Sequence, residues 1–210
     1  MLPLLASCIL LAAACTPQQH STDRCHDEFG NLPRLTAPPE RTQAPAWRPS
    51  SVEQVVFGRS VAGRDLAGEI YGSGEQTIFI LASIHGNEAV GTPLLRKLGD
   101  YFVAHPETLA DKRIVLLPIA NPDGVAANVR TNLHGVDLNR NFPAWNFSSI
   151  IGHGSTALSE PESRAINEII VKYAPRRIIT LHQPFTCIDY DGPAEPLARA
   201  MATAARLPLK

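Results

Sequence analysis

The sequence predicts an α/β fold with a mostly parallel, twisted, mixed sheet flanked by helices. Two apolar runs rich in β-forming residues, at 77–84 and 113–120, have the composition of strands buried on both faces. A third run, RIITLH at 177–182, follows after a segment with helical periodicity. Strands that alternate with helices favour a largely parallel sheet, because a parallel pair needs a crossover connection.

Composition and charge narrow the classes of function. The chain has 210 residues, 44% of them apolar, which is enough for one sizeable domain with its own core. The formal net charge is −1, from 19 basic and 20 acidic residues. This balance gives no electrostatic reason to expect nucleic acid as a partner, so a small-molecule or peptide substrate is the better expectation.

The first fifteen residues, MLPLLASCILLAAAC, are apolar and too short to span a bilayer as a helix. They predict a signal peptide at 1–15 and an exported protein of the periplasm or cell envelope. The stretch LAAAC resembles the processing site of bacterial lipoproteins, so a lipid anchor at Cys15 stays open beside simple export. A mis-assigned start codon is the alternative, because no Lys or Arg precedes Arg24.

Residues 16–50 contain six prolines and little hydrophobic periodicity, which predicts a linker or extended arm. The predicted folded domain is 51–210. Cys25 and Cys187 are the two cysteines outside the leader, and the sequence leaves open whether they form a disulfide or remain thiols.

The elements of the domain can be assigned in order. Two short strands joined by a turn at Gly63 come first, and after the 77–84 strand Thr92 and Pro93 predict a helix cap and first turn. The predicted apolar face of that helix consists of Val90, Leu94, Leu95, Leu98, Tyr101 and Phe102.

The second half of the domain follows the same alternation. Residues 159–162, SEPE, predict a capping box with proline in the first turn of a helix. A further helix is predicted at 192–206, after the 177–182 strand.

Polar residues follow each of the three apolar strands. His85 comes directly after the first, Asn121 to Gly124 after the second, and His182 ends the third. In open α/β sheets, ligands bind beyond the carboxyl ends of the strands, so these groups are expected to converge.

His85, Glu88 and His182 would together supply the three-ligand set of a catalytic zinc site, which leaves one position open for water or substrate. The spacing His85-x-x-Glu88 alone is weak. Its structural alternative is a strand-end histidine followed by a glutamate at the positive end of a helix.

The segment 121–143, NPDGVAANVRTNLHGVDLNRNFP, combines turn formers, arginines and amides without helical or strand periodicity. It is too long for a simple connector, which favours a functional loop.

HGNE, NPDG, GVDLNRNFP, SEPES and the later LH together resemble the carboxypeptidase A-like zinc carboxypeptidases over residues 56–210. The bacterial murein tripeptide amidase branch, which cuts the γ-D-glutamyl–diaminopimelate bond of cell-wall peptides, looks most similar. The resemblance implies a zinc-carboxypeptidase-like fold and a monomer with one zinc ion per chain. Its substrate would be a peptide, with murein peptides the expected class.

The same resemblance assigns His85, Glu88 and His182 to zinc. It assigns Arg130 to the oxyanion, and Asn139 with Arg140 to the terminal carboxylate of the substrate. An arginine fork suits bidentate carboxylate binding. Asp137 resembles the carboxylate that accepts a hydrogen bond from the first zinc histidine, although an Asp that caps its own turn is the alternative.

One part of the family pattern is missing. The resemblance places a general-base Glu on a strand well after the third ligand, and 28 residues follow His182. Asp189, Asp191 and Glu195 are better explained by loop polarity and helix capping, with a substrate-pocket role for the two aspartates as a minority hypothesis. We therefore expect a C-terminally incomplete copy with little activity. The alternatives are a non-catalytic zinc- or peptide-binding envelope protein and an acylase of N-acyl amino acids.

Overall fold

A computed structural model describes residues 52–184 and 186–210, and the backbone of a strand at residues 7–12. The strands are β1 Ser7–Ala12, β2 Val52–Arg59, β3 Asp65–Tyr71, β4 Gln76–Ala82, β5 Lys112–Leu117, β6 Arg177–His182 and β7 Ile188–Tyr190. The helices are α1 Gly91–Ala104, α2 Pro122–Ala127, α3 Pro161–Tyr173 and α4 Glu195–Ala205.

The seven strands form one mixed sheet in the order β2-β3-β5-β4-β6-β1-β7. Its centre is parallel, because β4 pairs in parallel with both β5 and β6. The hairpin of β2 and β3 joins antiparallel to β5. The predicted fold class, a mixed sheet flanked by helices, is confirmed.

Helices cover both faces of the sheet, as the alternation of side chains along β4 requires. Phe79 and Leu81 pack in one apolar cluster with Ile166 and other residues of α3. Ile80 and Ala82 belong to the cluster on the other face, where Leu95 of α1 is buried. The predicted buried strands therefore have two covered faces.

The strands β4 and β5 end before their apolar runs do. β4 ends at Ala82 instead of residue 84, because Ser83 adopts a φ of 54°, in the left-handed region, and turns the chain. β5 ends at Leu117, three residues before the predicted end. Burial rather than strand pairing explains the remaining apolar residues, since Ile84 and Ala120 lie in the core.

Helix α1 begins at Gly91, and Thr92 does not cap it. The Thr92 hydroxyl instead donates to the Pro118 carbonyl at 2.8 Å. Three residues of the predicted apolar face, Val90, Leu94 and Tyr101, are each nearly half exposed. The face that contacts the sheet is centred on Leu95, so it is narrower than the sequence pattern predicted.

The side-chain hydrogen bonds of the capping box predicted at 159–162 do not form. Glu160 is the N-cap residue of α3 and makes no side-chain cap bond, although Pro161 starts the helix as expected. The Glu162 carboxylate accepts from Val61 N and Asn132 Nδ2 instead. Partners that lie 30 or more residues away in the chain cannot be inferred from a four-residue pattern.

The loop predicted at 121–143 contains two short helical pieces. One is α2, whose N-cap residue Asn121 accepts a hydrogen bond from Gly124 N. The other is a single 3₁₀ turn at Leu138–Arg140. Strand β7 was not predicted, because three residues are too few to show a period.

Strand β1 lies within the predicted signal peptide and occupies the sheet between β6 and β7. Its backbone pairs in parallel with β6 from Ser7 opposite Arg177 to Ala12 opposite His182. Removal of a leader at 1–15 would take this strand out of the sheet. The linker at 16–50, Cys15, and Cys25 with its pairing to Cys187 lie outside the described residues.

Among the helices that the structure describes, none is long and apolar enough to cross a membrane.

Candidate metal centre

Three potential metal ligands lie at the carboxyl ends of neighbouring parallel strands. His85 follows β4 by three residues, and His182 is the last residue of β6. Glu88 lies in the turn between β4 and α1, where its backbone N–H donates to the His85 carbonyl at 3.0 Å. All three side chains are buried.

Their donor atoms converge on one point. One ligand atom from each residue lies within 4.8 Å of the others. The two oxygens of Glu88 lie 3.0 Å from His85 Nδ1 and 2.9 Å from His182 Nδ1. The two Nδ1 atoms are themselves 3.2 Å apart. The structure therefore brings together the three residues that the sequence pattern grouped.

The backbone around His85 is fixed by close contact with α2. A Cβ on Gly86 would meet the Gly124 backbone at 1.9 Å, so a side chain at position 86 would force the two segments apart. Asn121 Nδ2 donates to the Ile84 carbonyl at 3.3 Å, and Gly86 N donates to the Arg130 carbonyl at the same distance. These contacts hold the backbone on both sides of His85 in place.

Asp137 fixes the His85 ring from the side opposite Glu88. Its Oδ1 lies 3.2 Å from His85 Nε2, which favours a proton on Nε2 and a lone pair on Nδ1. Burial by itself lowers the pKa of His85, but hydrogen bonds to Asp137 and Glu88 outweigh it and raise the pKa above its ordinary value. For Asp137, burial is likewise outweighed by His85 and Arg130, and its pKa is lowered.

Glu88 is ionised at neutral pH. Burial would raise the pKa of Glu88, but hydrogen bonds from His182, His85 and Gln183 N outweigh it and lower the pKa to about 2. An ionised carboxylate in a buried site needs a compensating cation.

The donor set fits a divalent metal such as zinc. Without protons on the two imidazole Nδ1 atoms, these nitrogens and the Glu88 carboxylate would meet as lone-pair donors, which repel one another unless a cation replaces the protons. Within the described residues, the buried Nε2 of His182 has no hydrogen-bond partner. A proton on that nitrogen leaves its Nδ1 free as a ligand, as zinc would require.

Arg130 lies at the edge of this group. Its Nε donates to Asp137 Oδ2 at 2.9 Å, and its Nη1 lies 3.5 Å from Glu88 Oε1. The side chain is 45% exposed. A guanidinium has five N–H groups, so donors remain available for an acceptor on the open side.

Asn139 and Arg140 lie on the 3₁₀ turn that follows Asp137. The backbone N–H of Asn139 donates to Asp137 Oδ1 at 3.0 Å, which makes Asp137 the cap of its own turn as well as the partner of His85. The Asn139 side chain is half-buried, beside an apolar cavity of about 140 Å³. Arg140 is exposed, and its Nη1 donates to the Asn139 carbonyl at 3.2 Å.

The acidic residues after His182 lie in local structure of their own. Asp189 is in β7, where its Oδ1 accepts from Tyr190 N. Glu195 is in the first turn of α4 and pairs with Arg199 one turn later. Asp191 is exposed in the connection between these two elements.

Comparison with known proteins identifies the family and supports the fold. The model of the zinc carboxypeptidase family, Peptidase_M14, matches residues 43–191, more than half of the chain. The chain belongs to the zinc carboxypeptidase family. This is a family of metal-dependent hydrolases, so the zinc implied by the family agrees with the donor set at His85, Glu88 and His182.

Individual zinc carboxypeptidase relatives include bacterial and animal proteins. Murein peptide amidase A of Escherichia coli K12 is 30% identical over 170 residues, which are 73% of this chain and 68% of the relative. The crystal structure of murein-tripeptide amidase MpaA from Escherichia coli O157 is 28% identical, with a TM-score of 0.57 over 78% of this chain and 74% of that one. Carboxypeptidase A of Helicoverpa armigera is 25% identical, with a TM-score of 0.62 over 74% of this chain and 49% of that one.

Several polar residues that organise the site were not predicted as functional. Asn132 and Asn141 are buried in the loop between β5 and α3, at 2% and 0% exposure. Asp123, which was expected to converge with the two histidines, is buried and instead accepts hydrogen bonds from Ser60 and Ala62 of the turn between β2 and β3. The loop's unusual number of amides was the available signal, but only the fold shows which amides are buried.

Proposed function

We propose that this zinc carboxypeptidase relative holds one zinc ion at His85, Glu88 and His182. Its reaction is then hydrolysis of a peptide or amide bond next to a carboxylate-bearing terminal residue. The observation that carries the proposal is the convergence of these three buried side chains, with Asp137 behind His85. Zinc in such a site lowers the pKa of a bound water and polarises a carbonyl group.

Arg130 is the residue that stabilises the negative charge of the reaction. Its guanidinium is already held by Asp137 and lies beside Glu88, so little reorganisation is needed when an oxyanion develops nearby. The half-exposed position leaves the guanidinium accessible to substrate.

Asn139 and Arg140 bind the terminal carboxylate of the substrate. They follow Asp137 within three residues on the 3₁₀ turn, which places them near the metal centre. Arg140 is exposed, and its Nη1 donates to the Asn139 carbonyl. The other N–H groups of the guanidinium are available for a bidentate contact with a carboxylate. A contact of this kind would restrict cleavage to the last residue of a peptide.

Murein peptides are the proposed substrate class, because two of the matched relatives are named as murein peptide amidases. Export to the cell envelope accords with this substrate and with the apolar sequence of residues 1–15. The mature amino terminus of the protein from a bacterial envelope fraction, read by mass spectrometry, tests export and shows whether β1 is retained.

The general base of the proposed hydrolysis is neither Glu88 nor Asp137. Among the described residues, the carboxylates that contact the two histidines are Glu88 and Asp137. Glu88 belongs to the donor set, and Asp137 is engaged by His85 and Arg130. A general base must reach the proton it removes, and neither carboxylate is free to do so.

The test measures zinc, binding and turnover separately. We expect one zinc per chain by elemental analysis, calorimetric binding of murein tripeptide, and much weaker binding of the same peptide with an amidated terminal carboxylate. Arg140→Ala should remove this preference, while Arg96→Ala, an exposed arginine on α1, should keep it. Absence of zinc, or equal binding of both peptides, would contradict the proposal. Turnover of N-acyl amino acids instead of the tripeptide would identify an acylase.

A further inference from the structure

Two glutamates at the start of α3 are buried and point away from their helix. Glu160 is 4% exposed and Glu162 is 0% exposed. Burial of a carboxylate is costly unless hydrogen bonds compensate it, so such a pair requires specific partners. Both carboxylates accept from one side-chain amide, Asn132 Nδ2, at 2.8 and 3.1 Å.

Asn132 lies in the segment 130–141, here called the site loop, which carries Arg130, Asp137, Asn139 and Arg140. The Nδ2 group of Asn132 donates to the two glutamates, and its Oδ1 accepts from His134 N and Val136 N at 3.1 and 3.0 Å. The amide therefore both closes the turn at 132–136 and attaches that turn to α3.

A second buried amide attaches the other end of the site loop. Asn141 Oδ1 accepts from Glu160 N at 3.2 Å, and its Nδ2 donates to Ser159 Oγ at 3.0 Å. Both ends of the site loop are thus fixed to the residues that begin α3. Asp137 lies between the two attachments, where it faces His85.

We propose that Glu160 and Glu162 are positioning residues for the metal centre, acting through Asn132. Their carboxylates hold the site loop against α3, which keeps Asp137 on His85 Nε2 and Arg130 beside Glu88. The proposal rests on the proposed function, because it predicts an effect on zinc. Glu162 also accepts from Val61 N, so the same carboxylate ties the turn between β2 and β3 to this junction.

Asn132→Asp separates the two roles of this amide, which are to close the turn at 132–136 and to attach that turn to α3. The new side chain keeps an oxygen for His134 N and Val136 N, but it places another oxygen against two carboxylates where the amide donated. We expect faster amide hydrogen exchange across residues 134–139 in the metal-free protein and zinc binding weakened about tenfold. Asn128→Asp is the matched control, because Asn128 is exposed at the end of α2.

Glu162→Gln gives a second route if Asn132→Asp fails to fold. A glutamine has one acceptor oxygen, so it loses either Val61 N or Asn132 Nδ2. Glu168→Gln on the exposed side of α3 removes the same charge without these contacts. Zinc is titrated well below the unfolding temperature of each variant, so that a loss of global stability alone leaves the measured affinity unchanged.

The outcomes separate this proposal from the proposed function. The positioning role would be overturned if Asn132→Asp and Glu162→Gln both keep the wild-type exchange rates in the site loop and the wild-type zinc affinity. Failure of the wild-type protein to bind zinc would overturn the proposed function, and exchange in the metal-free variants would still decide whether the glutamates hold the site loop. Weaker zinc binding in the exposed controls would also count against the positioning role.

Discussion

Replacement of Asp137 by asparagine removes one charge and one acceptor from the metal centre. The carboxylate has two oxygens in use: Oδ1 lies 3.2 Å from His85 Nε2, and Oδ2 accepts from Arg130 Nε at 2.9 Å. An asparagine side chain has one oxygen and one NH₂ group, so it cannot accept from both partners.

Either orientation of that amide harms the site. If the amide oxygen faces His85, the NH₂ group faces the Arg130 guanidinium, where a second donor replaces an acceptor. The His85 ring then also loses the negative charge that raises its basicity. If the NH₂ group faces His85, the ring must move its proton to Nδ1, where the metal would bind. Loss of a carboxylate behind a metal-binding histidine weakens affinity by about 10- to 100-fold. This corresponds to about 1.4 to 2.7 kcal/mol.

The assay is a zinc competition titration against a chromophoric chelator at pH 7.5. Asp111→Asn is the matched control, because Asp111 is exposed just before β5, at the end of the sheet opposite the metal centre. We expect the control to bind zinc like the wild-type protein. Equal zinc affinity in Asp137→Asn and the wild type would refute the reasoning that Asp137 fixes the His85 ring.

Three further predictions concern the same region. Glu88→Gln should abolish stoichiometric zinc binding, measured by elemental analysis after dialysis, because the site loses its only charged ligand; retention of one zinc per chain would contradict the proposed ligand set. Zinc affinity should fall as the pH is lowered from 8 to 6, because a proton on His85 competes with the metal for the ring nitrogen. The raised pKa of His85 means that the metal-free protein keeps this proton up to a higher pH than an ordinary histidine would. A pH-independent affinity would exclude a histidine ligand. Asp123→Asn should lower the free energy of unfolding by about 1–3 kcal/mol in urea titrations, with Asp111→Asn unchanged. Burial alone would raise the pKa of Asp123, but its hydrogen bonds lower it, so this stability is present above the ordinary pKa and is lost as the pH falls through the lowered one.

The fold was predictable because it depends on strong local patterns, whereas the three metal-ligand candidates were predictable from the order of the strands and from a family resemblance, since the spacing of His85 and Glu88 alone is weak. Continuous apolar runs identify buried strands, and parallel neighbours bring their carboxyl ends together, so His85 and His182 had to lie close to each other. The exposure of Val90 and Leu94 was not predictable in this way. It depends on which side of α1 contacts the sheet, and the helical period allows more than one choice.

The ordered conformation of the site loop could not be predicted from its sequence. Its buried residues, among them Asn132, Val136 and Leu138, belong to no long helix or strand, so other partners must satisfy their backbone groups. Asn132 supplies such a partner, because its amide accepts from the backbone N–H groups of His134 and Val136 and donates to distant carboxylates. Such a side chain replaces periodic hydrogen bonding with a few long-range contacts. The segment therefore looks like an irregular loop in the sequence, yet it holds Asp137 within hydrogen-bonding distance of His85.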